Sequence, residues 1–170
     1  GQNKAIALAD NLEKECTGET IIEAYAMYFQ ALFKEMPQVF QGADVILCLV
    51  DNEETRYDAC KLGLELNIPV IFSAVSLSAL NGYVAIQENG QACFNCIRPK
   101  RNEGMQGAGC ILPSVIYTHQ TAMGIATYAT ISIIQGWERM WNYYLFMLDT
   151  DSYARTVARN DKCDICGGKS

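Results

Sequence analysis

The pattern of apolar and polar residues predicts a mixture of helices and strands at the start of the chain. Apolar residues at helical spacing predict a helix over residues 4–16, which ends at Thr17-Gly18. Residues 20–28, with the sequence TIIEAYAMY, predict a strand. A short helix is expected around residues 32–40, in a segment that contains Pro37.

The next segment predicts a strand–helix–strand unit. The near-continuous apolar run over residues 44–50 is typical of a strand covered on both faces, as in a parallel sheet. A helix is expected to begin at Asp51 and to continue to about Leu66, where Asn67 ends it, and residues 68–72 predict the next strand. The short connections predict a right-handed βαβ crossover.

The pattern changes after residue 75, where turn signals predict antiparallel structure. Asn81-Gly82 and Asn89-Gly90 are strong turn signals that bracket a predicted strand over residues 83–88. The other predicted elements are a buried apolar helix over about residues 114–135 and a hairpin with strands over residues 142–148 and 152–159.

Composition and charge exclude several classes of protein. Half of the residues are hydrophobic and 19% are charged, which excludes a disordered chain. The net charge of −6 excludes an overall basic footprint for nucleic acid, so no nucleic-acid partner is expected. No stretch is apolar enough to predict a membrane span. Cys48, Cys60 and Cys110 lie in apolar segments, and this usage of free cysteine predicts a reducing, cytoplasmic compartment.

Four other cysteines form two Cys-x-x-Cys pairs. Cys93 and Cys96 form the first pair, and Cys163 and Cys166 form the second, which is followed by two glycines. Each pair bends the chain so that two thiolates can point at one ion, and two such pairs predict a closed, structural Cys₄ zinc site. A redox motif or two disulfides are the alternatives, although a redox Cys-x-x-Cys normally occurs once, at a strand-to-helix junction.

The residues after the apolar strand over 44–50 are candidates for binding an anion or a metal. Asp51 and Asn52 follow the carboxyl end of that strand, where ligands bind in parallel α/β sheets, and a helix N-terminus follows them. A carboxylate at this position can hold a magnesium ion that bridges to phosphates. Alternatively, Asp51 and Glu54 form a helix-capping box, and Arg56 pairs with a neighbouring carboxylate.

Lys4 is a second candidate for binding an anion. It lies in the first turn of its predicted helix, where a cation opposes the helix dipole. A bound anion would explain this position, and so would an exposed lysine in a frayed terminus.

Together these motifs resemble the ThiF/MoeB/HesA family, whose members are relatives of the ubiquitin-activating enzymes. The resemblance covers nearly all of the chain. In chain order, the matching motifs are Gly-Gln-Asn-Lys4-Ala, the run from Ala43 through Asp51-Asn52 to Arg56, the pair Cys93 and Cys96, the segment from Ala108 to Pro113, and the pair Cys163 and Cys166.

The resemblance implies ATP-dependent activation of a carboxylate. Family members bind ATP with magnesium and adenylate the C-terminal Gly-Gly carboxylate of a ubiquitin-like, sulfur-carrier-type protein, and some adenylate a peptide. By resemblance, Lys4, Asp51 and Arg56 are catalytic: Lys4 contacts phosphate, Asp51 holds magnesium and phosphates, and Arg56 supports the same loop. Asn52 would contribute to cofactor binding, and the four paired cysteines would bind structural zinc. Family members commonly form homodimers.

Two features depart from the family pattern. The glycine-rich nucleotide loop, which lies upstream of the lysine motif in relatives, has no counterpart here, so we expect a piece of a longer protein, a cleaved form or half of a split enzyme. Thioester-forming members carry a cysteine where this chain has Met105, whereas Cys110 occupies a position that is small and apolar in the family. Cys110 is expected to be a core residue, and the single histidine, His119, a core or boundary residue, rather than catalytic groups.

The predicted fold class is α/β, with the second half of a Rossmann-like parallel sheet that continues into antiparallel strands and carries a Cys₄ zinc site. We expect one ThiF-like domain over residues 1–170. Residues 1–75 would be a remnant of the nucleotide-binding α/β part, and residues 76–170 would contain the antiparallel strands, the buried helix and the zinc pairs.

Three functions stay open at this stage. The first is an adenylating enzyme, or part of one, that acts on the C-terminus of a ubiquitin-like protein or peptide. The second is a non-catalytic or split subunit whose partner chain binds ATP. The third is a zinc-stabilised binding module unrelated to adenylation.

Overall fold

A computed structural model describes residues 1–76, 78–100 and 115–168, and the chain divides into two compact units, Gly1–Gln41 and Gly42–Ser170. The described helices are α1 (Lys4–Glu15), α2 (Phe29–Glu35), a 3₁₀ helix (Pro37–Phe40), α3 (Glu53–Leu66), α4 (Phe94–Ile97) and α5 (Ile116–Ile134). The described strands are β1 (Ile46–Cys48), β2 (Val70–Val75), β3 (Asn81–Gln87), β4 (Tyr143–Met147) and β5 (Tyr153–Arg155).

The first unit confirms the predicted helix over residues 4–16 but not the strand after it. Asn3 caps α1, because its side-chain oxygen accepts a hydrogen bond from the backbone N–H of Ala5 at 2.9 Å. The prediction of a strand over residues 20–28 is wrong, since this segment forms neither helix nor strand. Its residues favour β structure, but no described strand pairs with it, and Ile21 is 87% exposed.

The predicted helix around residues 32–40 is divided at Pro37. The α2 helix ends at Glu35, and a 3₁₀ helix begins at Pro37. Proline has no N–H to donate and disfavours helical backbone in the residue before it, which explains the break. Phe40 then packs edge-on against Phe29 and Phe33, with ring centroids 5.7 and 6.2 Å apart.

The second unit is built on a five-stranded sheet with the order β1-β2-β3-β4-β5. The β1 and β2 strands are parallel and α3 connects them, which confirms the strand–helix–strand unit. All other neighbouring strands are antiparallel, so the sheet changes from parallel to antiparallel pairing at β2, as the sequence predicts.

The prediction of a turn at Asn81-Gly82 is wrong, because both residues lie in β3. The chain turns just before them, where the backbone N–H of Ser76 donates to the Asn81 carbonyl at 2.8 Å. Gly82 is needed for close packing instead, since a Cβ atom there would lie 2.5 Å from Cζ of Phe146. The turn predicted at Asn89-Gly90 is confirmed by a positive φ of 73° at Gly90.

Helices cover both faces of the sheet. On one face, α5 packs Ala126 and Ala129 against Ile71, Val84 and Ile86, which form the main core cluster. On the other face, the ring of Phe72 in β2 stacks on Phe94 of α4 at 4.2 Å.

The α5 helix is buried on one side only. Ala122, Ala126 and Ala129 lie on its buried side, as the sequence predicts, but large apolar side chains on its other side are exposed. Among the helices of the described ranges, none is both long enough and apolar enough to span a membrane.

Candidate functional site

The four paired cysteines converge on one point, although 66 residues separate the two pairs. Their sulfur atoms all lie within 4.8 Å of one another, and the shortest distances join Cys96 to Cys166 at 3.4 Å and Cys93 to Cys163 at 3.6 Å. Tetrahedral zinc with Zn–S bonds of about 2.3 Å requires sulfur atoms about 3.8 Å apart. The cluster could therefore hold a metal ion of this size.

The backbone at each pair forms a tight turn that aims both sulfurs inward. The N–H of Cys96 donates to the Cys93 carbonyl at 2.9 Å, and the N–H of Gly167 donates to the Cys163 carbonyl at 2.7 Å. A Cβ atom at residue 167 would lie 2.5 Å from the carbonyl oxygens of Asp161 and Cys163. Only glycine fits at this position, which explains the Cys-Gly sequence at the second pair.

Polar donors surround the sulfur atoms. The side-chain amide of Asn95 donates to the Cys163 sulfur at 3.3 Å, and the backbone N–H of Asn160 donates to the Cys96 sulfur at 3.4 Å. Burial alone would raise the pKa of the Cys163 thiol, but hydrogen bonds from the Cys166 backbone and from Asn95 outweigh it and lower the pKa to about 6. Such donors favour the thiolate, which is the form that binds metals.

The other thiols of the cluster resist ionisation in the absence of a cation. The pKa of Cys93 is raised by its hydrogen bond with Cys60 and by burial, and the pKa of Cys166 is raised by burial and by hydrogen bonds with its neighbouring thiols. Four crowded thiolates repel one another, and a divalent cation at their centre would remove that repulsion. Cys60 is fully buried, as expected for a core residue, but it also contacts this cluster.

A buried glutamine that the sequence analysis did not identify supports the first cysteine pair. Gln87 is 1% exposed, and its side chain binds both the backbone N–H of Phe94 and the Cys60 carbonyl. The signal in the sequence was a polar residue at a core-facing position of β3, on the same face as Tyr83 and Ala85.

The residue that caps α3 is Asn52 rather than Asp51. The side-chain oxygen of Asn52 accepts a hydrogen bond from the backbone N–H of Thr55 at 2.8 Å. The alternative in which Asp51 and Glu54 form the capping box is therefore wrong, because the helix begins one residue later. Asp51 lies exposed between the end of β1 and the cap.

Arg56 is buried beneath this connection. Its guanidinium binds the side chain of Glu53, and one of its terminal nitrogens donates to the Val50 carbonyl at 2.6 Å. These contacts fix the chain on both sides of Asp51. The Nε atom of Arg56 is buried and has no hydrogen-bond partner among the described residues.

The remaining candidates lie elsewhere in the chain. Lys4 is the exposed first residue of α1, in the first unit, whereas Asp51, Asn52 and Arg56 belong to the second. His119 is exposed on α5, so the expectation that it is a core or boundary residue is wrong. Met105, Cys110 and the segment from Ala108 to Pro113 lie outside the described residues.

Comparison with known proteins identifies a family that matches the sequence and solved structures with a similar fold. The sequence profile of the ThiF family matches residues 1–165. A search of curated proteins found no match.

The fold is similar to those of solved MccB structures and of a heterocyclase. E. coli MccB with ATP is 15% identical, with a TM-score of 0.77 over 98% of this chain and 51% of that one. The microcin C7 biosynthetic enzyme MccB in complex with N-formylated MccA is 13% identical, with a TM-score of 0.65 over 79% and 44%. The heterocyclase TruD is 18% identical, with a TM-score of 0.54 over 74% and 22%.

These similarities concern the fold alone, because the identities are low. The chain also spans only about half the length of the MccB chains. In one structure of E. coli MccB, it covers 52% of the MccB chain.

Proposed function

The chain belongs to the ThiF family, and we propose that it is part of an enzyme that uses ATP and magnesium to adenylate the C-terminal carboxylate of a peptide or small protein. The placement of Asp51 carries the proposal. Asp51 is exposed at the carboxyl end of β1, directly before the capped N-terminus of α3, where α/β sheets bind phosphates. The similarity in fold to MccB with ATP supports the same function.

The reaction exchanges one phosphorus–oxygen bond for another. A carboxylate oxygen of the substrate attacks the α-phosphorus of ATP, an acyl-adenylate forms and pyrophosphate leaves. Magnesium would be held by Asp51 and would neutralise charge on the phosphates. Asn52 would assist at the same position. Lys4 is proposed as a phosphate contact on the family motif alone.

Arg56 has a positioning role in this proposal. Its bonds to the Val50 carbonyl and to Glu53 hold the residues on both sides of Asp51, so the carboxylate is presented from a fixed loop. Preorganised charge of this kind avoids the cost of reorganisation during the reaction.

Zinc is the metal that we propose for the cysteine cluster. Four sulfur ligands leave no open position for water or substrate, so the role of the metal is structural. The ion would connect the segment after β3 to the segment after β5, which are far apart in sequence.

The proposed substrate is a ubiquitin-like or sulfur-carrier-type protein that ends in Gly-Gly, or a peptide. The solved complex of MccB with N-formylated MccA supports a partner of this general kind. We also propose a homodimer or a partner subunit, because the exposed side of α5 carries Ile116, Tyr128, Ile131 and Ile134.

Calorimetric titration with magnesium-ATP tests the proposal, on the longest natural protein that contains this chain. We expect saturable micromolar binding that Asp51→Ala abolishes. Asp149→Ala removes the same charge from the β4–β5 turn and should leave binding unchanged. Absence of binding in the wild type, or equal binding in the Asp51 variant, would contradict the proposed role.

A further inference from the structure

Four tyrosines and three cations form one continuous group on the face of the sheet that α4 covers. We call it the cation–tyrosine cluster. Its members are Tyr57, Tyr83, Arg98, Lys100, Tyr143, Tyr153 and Arg155. Tyr83 and Tyr143 lie on adjacent strands and stack with centroids 6.0 Å apart, and Tyr143 contacts Tyr153 at 6.4 Å.

The tyrosine rings hold the cations in place. The guanidinium of Arg98 lies 4.1 Å from the centre of the Tyr83 ring and also donates to the hydroxyl of Tyr143 at 3.3 Å. The guanidinium of Arg155 lies 5.1 Å from the Tyr143 ring, and the ammonium of Lys100 lies 5.7 Å from the Tyr57 ring. Because the two guanidinium groups are already positioned, less side-chain freedom is lost when they bind a ligand.

The cations of the cluster are not neutralised within the described part of the chain. In residues 1–76, 78–100 and 115–168, the ion pairs involve Arg56, Lys61 and Arg139, and none involves Arg98, Lys100 or Arg155. The cluster is therefore a local concentration of positive charge on a protein whose net charge is −6.

Two buried hydrogen-bond donors without partners among the described residues lie in or beside the cluster, at Tyr83 and Arg56. Tyr83 is 6% exposed, and its hydroxyl is buried without a partner among the described residues. Burial raises the pKa of Tyr83 to about 12, so this hydroxyl stays protonated and can donate. The Nε–H of Arg56 is a second buried donor without a partner among the described residues.

These donors and cations suit an oxyanion, and Arg56 connects them to the proposed reaction site. Arg56 binds the residues on both sides of Asp51, and the next residue, Tyr57, donates a hydrogen bond from its hydroxyl to the Arg98 carbonyl at 2.9 Å. The guanidinium of Arg98 in turn lies over the Tyr83 ring, so this end of the cluster is close to the loop that presents Asp51. Tyr153 and Arg155 lie on β5, at the other end of the cluster.

We propose that the cation–tyrosine cluster binds an acidic segment next to the C-terminus of the substrate, and so selects substrates with Asp or Glu near the reacting carboxylate. The proposal rests on the proposed function and specifies its substrate class. An acidic peptide is favoured over a nucleic acid because the cluster has only three cations, which suit a short acidic segment better than an extended phosphate backbone.

Fluorescence anisotropy without ATP tests this inference. The probes are two peptides labelled with fluorescein at the N-terminus and identical except that one ends Glu-Asp-Glu-Gly and the other Gln-Asn-Gln-Gly. We expect the wild type to bind the acidic peptide at least tenfold more tightly. The double variant Arg98→Gln, Arg155→Gln should lose that preference, whereas the control Lys34→Gln, Lys61→Gln removes two exposed positive charges elsewhere and should keep it.

The variant Tyr83→Phe tests the cluster with a substitution that should not disturb folding. It keeps the ring and removes only the unpartnered hydroxyl, so the protein should fold normally and bind the acidic peptide threefold to tenfold more weakly. Equal binding of the two peptides by the wild type, or an unchanged preference in the double arginine variant, would overturn the inference. Tighter binding of an octathymidylate probe than of the acidic peptide would also overturn it.

The assay separates this inference from the proposed function. Binding of the peptides is measured without nucleotide, so it does not depend on adenylation. If magnesium-ATP fails to bind while the peptide preference persists, the adenylation proposal fails and the acidic-peptide surface stands. If ATP binds without any peptide preference, only the inference fails.

Discussion

Gln87 accepts a hydrogen bond from the backbone N–H of Phe94 at 3.0 Å, one residue after the first of the four clustered cysteines. The amide nitrogen of the same side chain donates to the Cys60 carbonyl of α3 at 2.9 Å. One buried side chain therefore joins α3 to the segment that carries Cys93 and Cys96. The ring contact of Tyr57 with Phe94, at 5.5 Å, joins the same two elements.

Replacement of Gln87 by leucine should destabilise the protein strongly. The variant leaves the Phe94 N–H and the Cys60 carbonyl buried without partners, and each such group costs about 1–3 kcal/mol. We expect the free energy of unfolding in urea to fall by about 2–4 kcal/mol. Gln91→Leu changes an exposed glutamine four residues later and should have an effect below about 0.5 kcal/mol. Similar unfolding curves for the two variants would show that the hydrogen bonds of Gln87 contribute little to the free energy of unfolding.

Loss of one metal ligand should reduce both metal content and stability. Cys163→Ser removes one of four sulfurs that lie within 4.8 Å of one another. Because metal binding is coupled to folding at structural sites, we expect zinc by mass spectrometry to fall well below one ion per chain and the melting temperature to drop by more than 10 °C, on the order of several kcal/mol. Cys16→Ser changes an exposed free cysteine and should alter neither. A Cys163 variant with full zinc content would contradict the Cys₄ assignment.

Substitutions at Asn52 and Asp51 should separate the stability of α3 from the activity of the site. Asn52→Ala removes the hydrogen bond to the Thr55 N–H and should cost about 1 kcal/mol, which thermal unfolding can resolve. Asn52→Asp keeps an acceptor and should restore most of that stability. Asp51→Ala should leave the fold intact and abolish adenylation in the complete enzyme. A greater loss of stability in the Asp51 variant than in Asn52→Ala would reverse the two roles.

The exposed apolar side of α5 should mediate self-association or binding of a partner subunit. Ile131→Glu places a charge in the middle of this side and should convert a dimer to a monomer in light scattering coupled to size-exclusion chromatography. Ile21→Glu makes the same change at an exposed residue of the first unit and should leave the mass unchanged. An unaltered mass in the Ile131 variant would exclude this surface as the interface.

The sequence predicted the features that depend on local spacing. Cys-x-x-Cys turns, the apolar run of β1 and the small residues of α5 each carry their own signal over a few positions. The cap at Asn52 and the extended conformation of Gly82 could not be predicted in this way. The first depends on where helical geometry begins, to within one residue, and the second depends on packing against Phe146, 64 residues later in the chain.

The sequence also failed where tertiary partners decide the outcome. Residues 20–28 have β-forming side chains, but a strand requires a neighbour, and no described strand pairs with them. Gln87 and the cation–tyrosine cluster join segments that are far apart in the chain. The contact between Tyr83 and Tyr143 follows from the register of β3 with β4, which spacing alone does not specify. The contacts of Gln87 follow from the packing of α3 and α4 on the sheet.

Cys48 and Cys16 should differ sharply in reactivity, because burial controls the ionisation of a thiol. Burial raises the pKa of Cys48 to about 11, whereas Cys16 is exposed. The native state therefore keeps Cys48 protonated, whereas an unfolded chain would ionise it near pH 9. The contribution of Cys48 to the free energy of unfolding is therefore complete below about pH 9 and is lost as the pH rises towards 11. With iodoacetamide at pH 8, mass spectrometry should detect modification of Cys16 at least about 100 times faster than that of Cys48. Comparable rates of modification of Cys16 and Cys48 in the folded protein would show that β1 opens readily. This result would mean that β1 is not a stable edge of the sheet beside Asp51.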